Sequence, residues 1–266
     1  VLSGTVTYAL ATIESSLTGT IHDTVSAVVH SAAPTPYTST TNRLYVAGEY
    51  IHAEPYVLLA PKNATLASIT HVYSHPDVLV QCGHFLTDKL PTAQRVVSNG
   101  TGYAAKYVSE RANPCFAAIA GYDAAQLYNL QTLGIAHDTR THPLLTKFWL
   151  LASKPVRAER HLEPRTSIAI RTTNRTGAFF RVLGCFAMRD INVVKIESKP
   201  HSKSIQHAHA PWEYELYVDV EGAPEVDEKV ENALENLREF ASQVVVLGSY
   251  PRYLVDDVPS MTPFGM

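Results

Sequence analysis

The sequence predicts an α/β fold in two parts: a two-lobed α/β domain followed by a ferredoxin-like βαββαβ unit. Three observations carry this. Residues 165–250 run strand, helix, strand, strand, helix, strand with clear boundaries, the order of the split βαβ arrangement. Upstream of them, strand-like and helix-like stretches alternate, as in a sheet covered on both faces. Between the two parts, residues 153–164 are polar and marked by Pro155 and Pro164, and read as an interdomain linker. The expected division is a first domain over 1–153, a linker over 154–164, the second domain over 165–252 and a loose tail over 253–266 with Pro259 and Pro263.

In the first part, residues 6–13 read as a strand. Glu14-Ser15-Ser16-Leu17-Thr18-Gly19-Thr20 follows as a polar, glycine-containing turn, and residues 21–29 as a helix. Residues 30–42, rich in Ser, Thr, Ala and Pro, read as a loop. Strands are expected at 44–47 and 56–59, with a short one ending at Val72. Ser74-His75-Pro76 stands where a helix begins, with Ser74 as N-cap and Pro76 near the first turn. Val78, Leu79, Cys82 and Phe85 continue that helix. Strand at 92–97, helix at 103–110, strand at 115–119 and helix at 123–130 complete the alternation, and Thr146 leads into the apolar run 148–151.

In the second part, residues 167–172 alternate and are rich in β-branched side chains, as a half-buried strand is. Asn174-Arg175-Thr176-Gly177 is turn chemistry that opens a helix, whose Phe179, Leu183, Phe186 and Ala187 recur at helical spacing. Asp190-Ile191-Asn192 ends it, and residues 193–196 form the second strand. Tyr214, Leu216, Val218 and Val220 alternate with Glu215, Tyr217 and Asp219, which predicts a third strand with one wet face. Val226, Val230, Ala233, Leu234, Leu237, Phe240 and Ala241 make an amphipathic helical stripe. Residues 244–247 and Gly248 close the unit as its fourth strand.

Composition excludes several classes. The 266 residues are 45% hydrophobic and 18% charged, an ordinary globular balance. A formal net charge of −3 without clustered Lys or Arg gives no attraction to nucleic acid or an acidic membrane surface. No apolar stretch is long enough to span a bilayer. Cys82, Cys115 and Cys185 are odd in number and widely spaced, which implies neither a disulfide framework nor a metal site and favours a reducing compartment, the cytoplasm. His201, His207 and His209 have loose metal-site spacing but no Cys or acidic neighbours, so no metal is expected. The chain starts at Val1, inside a strand-like run, and so reads as truncated or processed, which leaves an organelle-targeting peptide open.

Polar clusters fall at the expected strand-to-helix turns, where exposed N–H groups and the helix dipole suit anions. They are Glu14-Ser15-Ser16, Tyr73-Ser74-His75-Pro76 with Gln81 further along the helix, Ser98-Asn99-Gly100-Thr101, and Thr146-Lys147-Phe148. Each has a plainer reading. Ser74 is most simply an N-cap, Glu14 a solvated turn residue, Gln81 a surface residue, His75 a turn residue beside Pro76, and Thr146 a strand residue.

The combination and order of these motifs resemble a known family. Thr176-Gly177-Ala178-Phe179-Phe180, Asp190-Ile191-Asn192, Lys195-Ile196-Glu197-Ser198-Lys199-Pro200, Trp212-Glu213-Tyr214 and Leu247-Gly248-Ser249-Tyr250-Pro251 resemble an ACT domain, the amino-acid-binding module of many biosynthetic enzymes. More narrowly, they resemble the ACT domain behind the catalytic domain of prephenate dehydratase and its relative arogenate dehydratase. Residues 13–21, Val72–Cys82, Ala117-Ala118-Ile119-Ala120, Ala124-Ala125-Gln126-Leu127-Tyr128 and Thr146-Lys147-Phe148 are similar to that catalytic domain in the same order. The aromatic amino-acid hydroxylases share the ACT phrases but have no such first domain.

The resemblance implies decarboxylative dehydration of prephenate (or arogenate) with no cofactor. It gives Thr146 the role of hydrogen-bond or proton donor to the leaving hydroxyl, with Glu14 a supporting polar or acidic group. Ser74 and Gln81 would orient the substrate, and Lys147 would face a carboxylate or fix the loop. Ser15, Ser16, His75, Thr101 and Phe148 are the further substrate contacts. It also implies feedback inhibition by L-phenylalanine, held by Gly177, Ala178, Phe179 and Phe180 together with Glu197, Ser198, Lys199 and Pro200 across an interface between ACT domains, hence a homodimer or homotetramer. The chain departs from the family pattern in several places. The opening portion of the usual catalytic domain, with its Gly-rich start, is absent. Ser15 stands for asparagine, Lys147 for arginine, Leu144 for a common asparagine, Lys199 for a frequent arginine and Thr176 for a frequent proline. Lysine keeps the charge of arginine but not its bidentate fork. The alternative reading is a binding-only, phenylalanine-responsive relative.

Overall fold

The computed structural model describes residues 1–16, 18–32, 43–53, 55–137, 145–200 and 213–252. Its first elements are β1 (Tyr8–Ser15), β2 (Gly19–Thr20), α1 (His22–Ala32), β3 (Tyr45–Ala53), β4 (Tyr56–Ala60) and β5 (His71–Ser74). Then come α2 (Pro76–Gln81), α3 (Gly83–Lys89), β6 (Gln94–Val97), α4 (Thr101–Arg111), β7 (Phe116–Gly121), α5 (Tyr122–Leu127), β8 (Gln131–His137) and β9 (Leu145–Ala152). The second part holds β10 (Arg165–Thr172), α6 (Ala178–Ala187), β11 (Val193–Pro200), β12 (Tyr214–Glu221), α7 (Glu228–Arg238) and β13 (Gln243–Tyr250). One compact unit takes residues 1–15 and 19–52 and the chain from Thr146 onward; a second takes residues 16–18 and 53–145.

The second unit is built on a five-stranded sheet ordered β6-β5-β7-β4-β8. Strand β5 runs parallel to β6 and β7, while β4 runs antiparallel to β7 and β8. On one face Val78, Leu79, Cys82 and Leu86 of α2 and α3 pack with Leu58, Val72, Ala117 and Ile119. On the other, Ala104, Ala105 and Val108 of α4 pack with Val57, Leu59, Ala118 and Ala120. Cover on both faces is why 57–60 and 117–120 are continuous apolar runs rather than alternating ones. Two local readings need correction. The single helix expected through Phe85 is broken: Cys82 ends α2 and Gly83 opens α3. Helix α5 stops at Leu127, and residues 131–137, given no element from sequence, form the edge strand β8.

The first unit contains two four-stranded sheets, β2-β1-β9-β3 and β11-β12-β10-β13. The latter is antiparallel throughout, and α6 and α7 cover one face of it: Val182, Cys185, Phe186, Val230, Leu234 and Leu237 pack on Ile168, Ile170, Leu216, Val218 and Val220. Its back face lies on the first part of the chain. Ala169, Tyr217, Val245, Leu247 and Tyr250 share one core with Ile13, Val25, Val28, Val29, Val46, Trp149 and Leu151.

That shared core overturns the expectation of a wet face on β12 and of a half-buried β10. Glu215, Tyr217 and Asp219 are all buried, as are Thr166, Ser167 and Ala169. Burial of such polar groups is tolerable only when they are paired, and here they pair with one another. Ser167 Oγ donates to Asp219 Oδ1 at 2.6 Å and lies 2.7 Å from the Tyr250 hydroxyl. Tyr217 donates to Glu215 Oε2 at 2.9 Å, and Arg171 to Glu215 Oε1 at 3.2 Å. Gly248 sets how closely the two sheets approach: a Cβ there would sit 2.0 Å from the Val46 carbonyl oxygen, so any side chain must displace the β3 backbone.

Candidate active site and effector pocket

The ends of β1 and β9 bring four of the expected residues together. In their antiparallel ladder Glu14 faces Lys147 and Ser15 faces Thr146, just past a register shift between Thr12 and Glu14. Beyond them the Ser16 N–H donates to the Leu145 carbonyl at 2.8 Å, and the Leu145 N–H donates to Ser16 Oγ at 3.0 Å. Ser16 thereby closes the turn through its own side chain. The Phe148 ring stands 6.3 Å from Tyr50, tilted by 39°. Thr146 is part-buried, and among the described residues its hydroxyl has no hydrogen-bond partner.

Glu14 anchors a row of alternating charges. Its Oε2 lies 2.9 Å from Lys195 Nζ and 3.6 Å from Lys147 Nζ. Lys147 is also 3.8 Å from Glu49 Oε2, and Arg165 Nη1 reaches both Glu49 oxygens, at 3.0 and 2.9 Å. Burial by itself pushes the Glu14 carboxyl up, but the Lys195 hydrogen bond and charge, with the Lys147 charge, outweigh it and hold it below its usual range. Glu14 is therefore a carboxylate at neutral pH, an acceptor rather than a proton donor. Sequence reasoning missed Glu49 and Arg165 as members of this row and read Lys195 only as part of a phrase that resembles the ACT domain. The available signal was a lone acid, Glu49, inside the largely apolar stretch 44–51.

Asp219 has the opposite balance. Burial pushes its carboxyl above the usual range, and the Ser167 hydrogen bond with the charges of Lys147, Arg165 and Lys195 offsets only part of that. A group whose folded pKa is raised contributes stability that is complete below its unfolded pKa and is lost as pH rises through the folded value. Asp219→Asn keeps an oxygen for Ser167 and removes the titration. At about pH 8 the variant should therefore be more stable than the parent in urea unfolding, with the gap closing by about pH 4. Equal stability at both values would contradict this account.

In the second unit Ser74 is not the N-cap. Strand β5 runs through it, it is fully buried, and its Oγ donates to the Ile119 carbonyl at 2.7 Å. His75 caps α2 instead, with Nδ1 accepting from the Asp77 N–H at 3.3 Å. Gln81 ends α2 with Oε1 sealed from solvent and without a partner among the described residues. Thr101 opens α4. Ser74, Ser98 (whose N–H donates to the Ser74 carbonyl at 2.8 Å) and Gly121 mark the C-terminal ends of β5, β6 and β7, the edge at which open α/β sheets take ligands. Tyr73, Ser98, Asn99, Tyr103, Lys106 and Tyr107 line a groove of about 430 Å³ there.

The two effector motifs lie on different faces of the ACT-like sheet. Gly177 adopts a left-handed φ of 74° before α6, a conformation that favours glycine. With Thr172, Ala178, Phe179, Phe180 and Tyr214 it lines a pocket of about 220 Å³, in which Phe179 meets Tyr214 edge-on at 6.0 Å. Glu197 and Lys199 turn to the back face: Thr20 Oγ1 donates to Glu197 at 3.1 Å, and Lys199 Nζ donates to Ser26 Oγ at 2.7 Å. Ser198 is exposed on the opposite face from Glu197 and Lys199, and Pro200 on that face is the ladder partner of Tyr214, which lines the pocket. Among the described residues no group of His, Cys, Asp and Glu could hold a metal, and no helix is long and apolar enough to cross a membrane. Leu144, Trp212, the three histidines at 201, 207 and 209, and the tail from residue 253 lie outside the described residues.

An arogenate dehydratase 4, chloroplastic, of Arabidopsis thaliana is 33% identical over 270 residues, covering 97% of this chain and 58% of its own length. A bifunctional chorismate mutase/prephenate dehydratase of Neisseria gonorrhoeae is 31% identical over 244 residues, covering 92% of this chain and 62% of its own length. The chain thus spans less than two thirds of these relatives. The crystal structure of prephenate dehydratase from Arthrobacter aurescens, in complex with L-Phe, superposes with a TM-score of 0.79 at 26% identity, covering 95% of this chain and 77% of that one. Residues 1–156 match the sequence profile of prephenate dehydratase and residues 166–239 that of the ACT domain. With its first-part motifs, its βαββαβ second part and these matches, the chain belongs to the prephenate dehydratase family.

Proposed function

We propose that the chain is a prephenate dehydratase, converting prephenate to phenylpyruvate, water and carbon dioxide under feedback control by L-phenylalanine. The observation that carries this reading is the pairing of Thr146 and Ser15 beside Glu14 and Lys147, with the Thr146 hydroxyl unpartnered among the described residues. Loss of the ring carboxylate pushes electrons through the ring and breaks the C–O bond, and aromatisation drives the step. The protein must hold the carboxylates and place a donor at the leaving oxygen, a contribution of about two to four orders of magnitude. Thr146 supplies that donor, and Lys147 the nearby positive charge. Of the two orienting groups expected on α2 and its approach, Ser74 has its proton committed to the Ile119 carbonyl.

The Arabidopsis relative's name favours arogenate as the second substrate to test. The Gly177 pocket, at the start of the ten-residue helix α6, offers N–H groups to a carboxylate, with Phe179, Phe180 and Tyr214 beside it for a ring. The effector reading draws on this and on the L-Phe complex of the Arthrobacter protein. Edge strand β11 exposes Val194 and Ile196, and the neighbouring α6 exposes Phe179, Phe180 and Leu183. Such an unpaired apolar edge is suited to a second copy of the chain, in line with a homodimer or homotetramer. Three free cysteines, two of them buried, agree with a reducing compartment such as the cytoplasm or an organelle.

Incubation with prephenate should give phenylpyruvate, read by its absorbance in alkali, and incubation with arogenate is read as phenylalanine by chromatography. Consumption of neither substrate sinks the proposal; phenylalanine binding without turnover would establish the binding-only alternative.

A further inference from the structure

We infer that Lys195, on edge strand β11 of the ACT domain, is a positioning residue for Glu14, and that the effector domain acts on the catalytic residues through this contact. The inference rests on the dehydratase reading above. Three inward side chains of β11, two residues apart, each bond to the first part of the chain. Lys195 takes Glu14, Glu197 takes Thr20 and approaches His22 at 3.8 Å, and Lys199 takes Ser26. The motif that resembles an effector-binding phrase is thus bonded along one side to β1, β2 and α1.

The Lys195 contact joins a lysine to a carboxylate, whereas Glu197 and Lys199 bond to hydroxyls. It is an ion pair at 2.9 Å between side chains that are 17% and 30% exposed, so solvent screens it less than a surface pair. It is shorter than the contact Glu14 makes with Lys147, its own ladder partner, at 3.6 Å. Lys147 is in turn shared with Glu49. Without Lys195, one shared ammonium among the described residues is left to hold Glu14, next to the Ser15–Thr146 pair. Further charges around this row are Arg165 on β10, bound to Glu49, and Asp219 on β12.

The sheet order adds a means of control. Among the described residues strand β11 is hydrogen-bonded only to β12, on one side, and it exposes Ile196 and Ser198 on its outer row. A ligand or second subunit engaging that edge acts on the strand that carries Lys195, and a shift along β11 changes the Lys195–Glu14 separation. Coupling then requires no change in the catalytic sheet itself, only two positions of an edge strand.

The test compares the full chain with its Lys195→Met and Lys195→Arg variants for turnover, phenylalanine binding by calorimetry, and phenylalanine inhibition. Lys195→Met should lower kcat about tenfold with KM within about twofold. It should still bind phenylalanine, while a saturating concentration changes its rate by less than about twofold. Lys195→Arg should restore both kcat and inhibition to within about threefold. Parental kcat and parental inhibition in Lys195→Met overturn the inference, as does a loss that tracks a lowered urea midpoint and is not restored by arginine. Failure of the parent chain to turn over either substrate instead overturns the dehydratase reading, and this inference with it.

Discussion

Thr146→Ala is expected to lower kcat by about two to three orders of magnitude with little change in KM or in the unfolding midpoint. Three features of the site lead to this. Thr146 sits next to Lys147 and opposite Ser15, where β1 and β9 end together. Its hydroxyl has no partner among the described residues, so none of these competes for its proton. Glu14 is held as a carboxylate by Lys195 and Lys147 and so cannot donate in its place. Removing a hydroxyl that bonds only in the transition state affects kcat rather than ground-state binding. Steady-state kinetics with prephenate decide the matter: a rate within threefold of the parent would remove Thr146 from the reaction, and partial recovery with Thr146→Ser would strengthen its role.

The largest expected effect on stability is at Arg165. Its guanidinium contacts both oxygens of Glu49, whose side chain is 1% exposed, and the next cation, Lys147, is 3.8 Å away. Arg165→Met leaves a buried carboxylate without its main partner, a change that typically costs about 3–5 kcal/mol. Replacing both members, Glu49→Met with Arg165→Met, removes the stranded charge and should be milder than the sum of the single changes, because a buried ion pair is worth little more than an apolar pair of similar volume. Urea unfolding of the two singles and the double measures this. A cost below about 1 kcal/mol for Arg165→Met would mean that water reaches Glu49 once the arginine is gone.

The fold was legible where hydrophobic period and element length agreed. The amphipathic stripe from Val230 to Leu237 is α7, and the alternation of 214–220 is β12. Continuous apolar runs at 57–60 and 117–120 are strands covered on both sides. Legibility failed where a local rule met a tertiary one. Ser74 has the chemistry of an N-cap, yet pairing with β6 and β7 carries strand β5 through it and gives its proton to Ile119. The polar side of β12 reads as solvated because Glu215 and Asp219 are charged residues, and only the packing of a second sheet shows that they are buried. The candidate site divided in the same way. Glu14, Ser15, Thr146 and Lys147 became candidates through the resemblance of their motifs to the family, whereas Glu49, Arg165 and Lys195 came in because strands distant in sequence meet there.

The sequence by itself determined the order and type of most elements, the ACT-like second part and the residues that resemble a dehydratase site, because period, turn chemistry and short motifs are local properties of the chain. Only the tertiary structure decided which face of the ACT-like sheet is dry, that Glu14 is held by a lysine from β11, and that the Gly177 pocket and the side chains of Glu197 and Lys199 face opposite ways. Each of these depends on which buried charges find partners across strands, and desolvation makes that choice only once the sheets are packed.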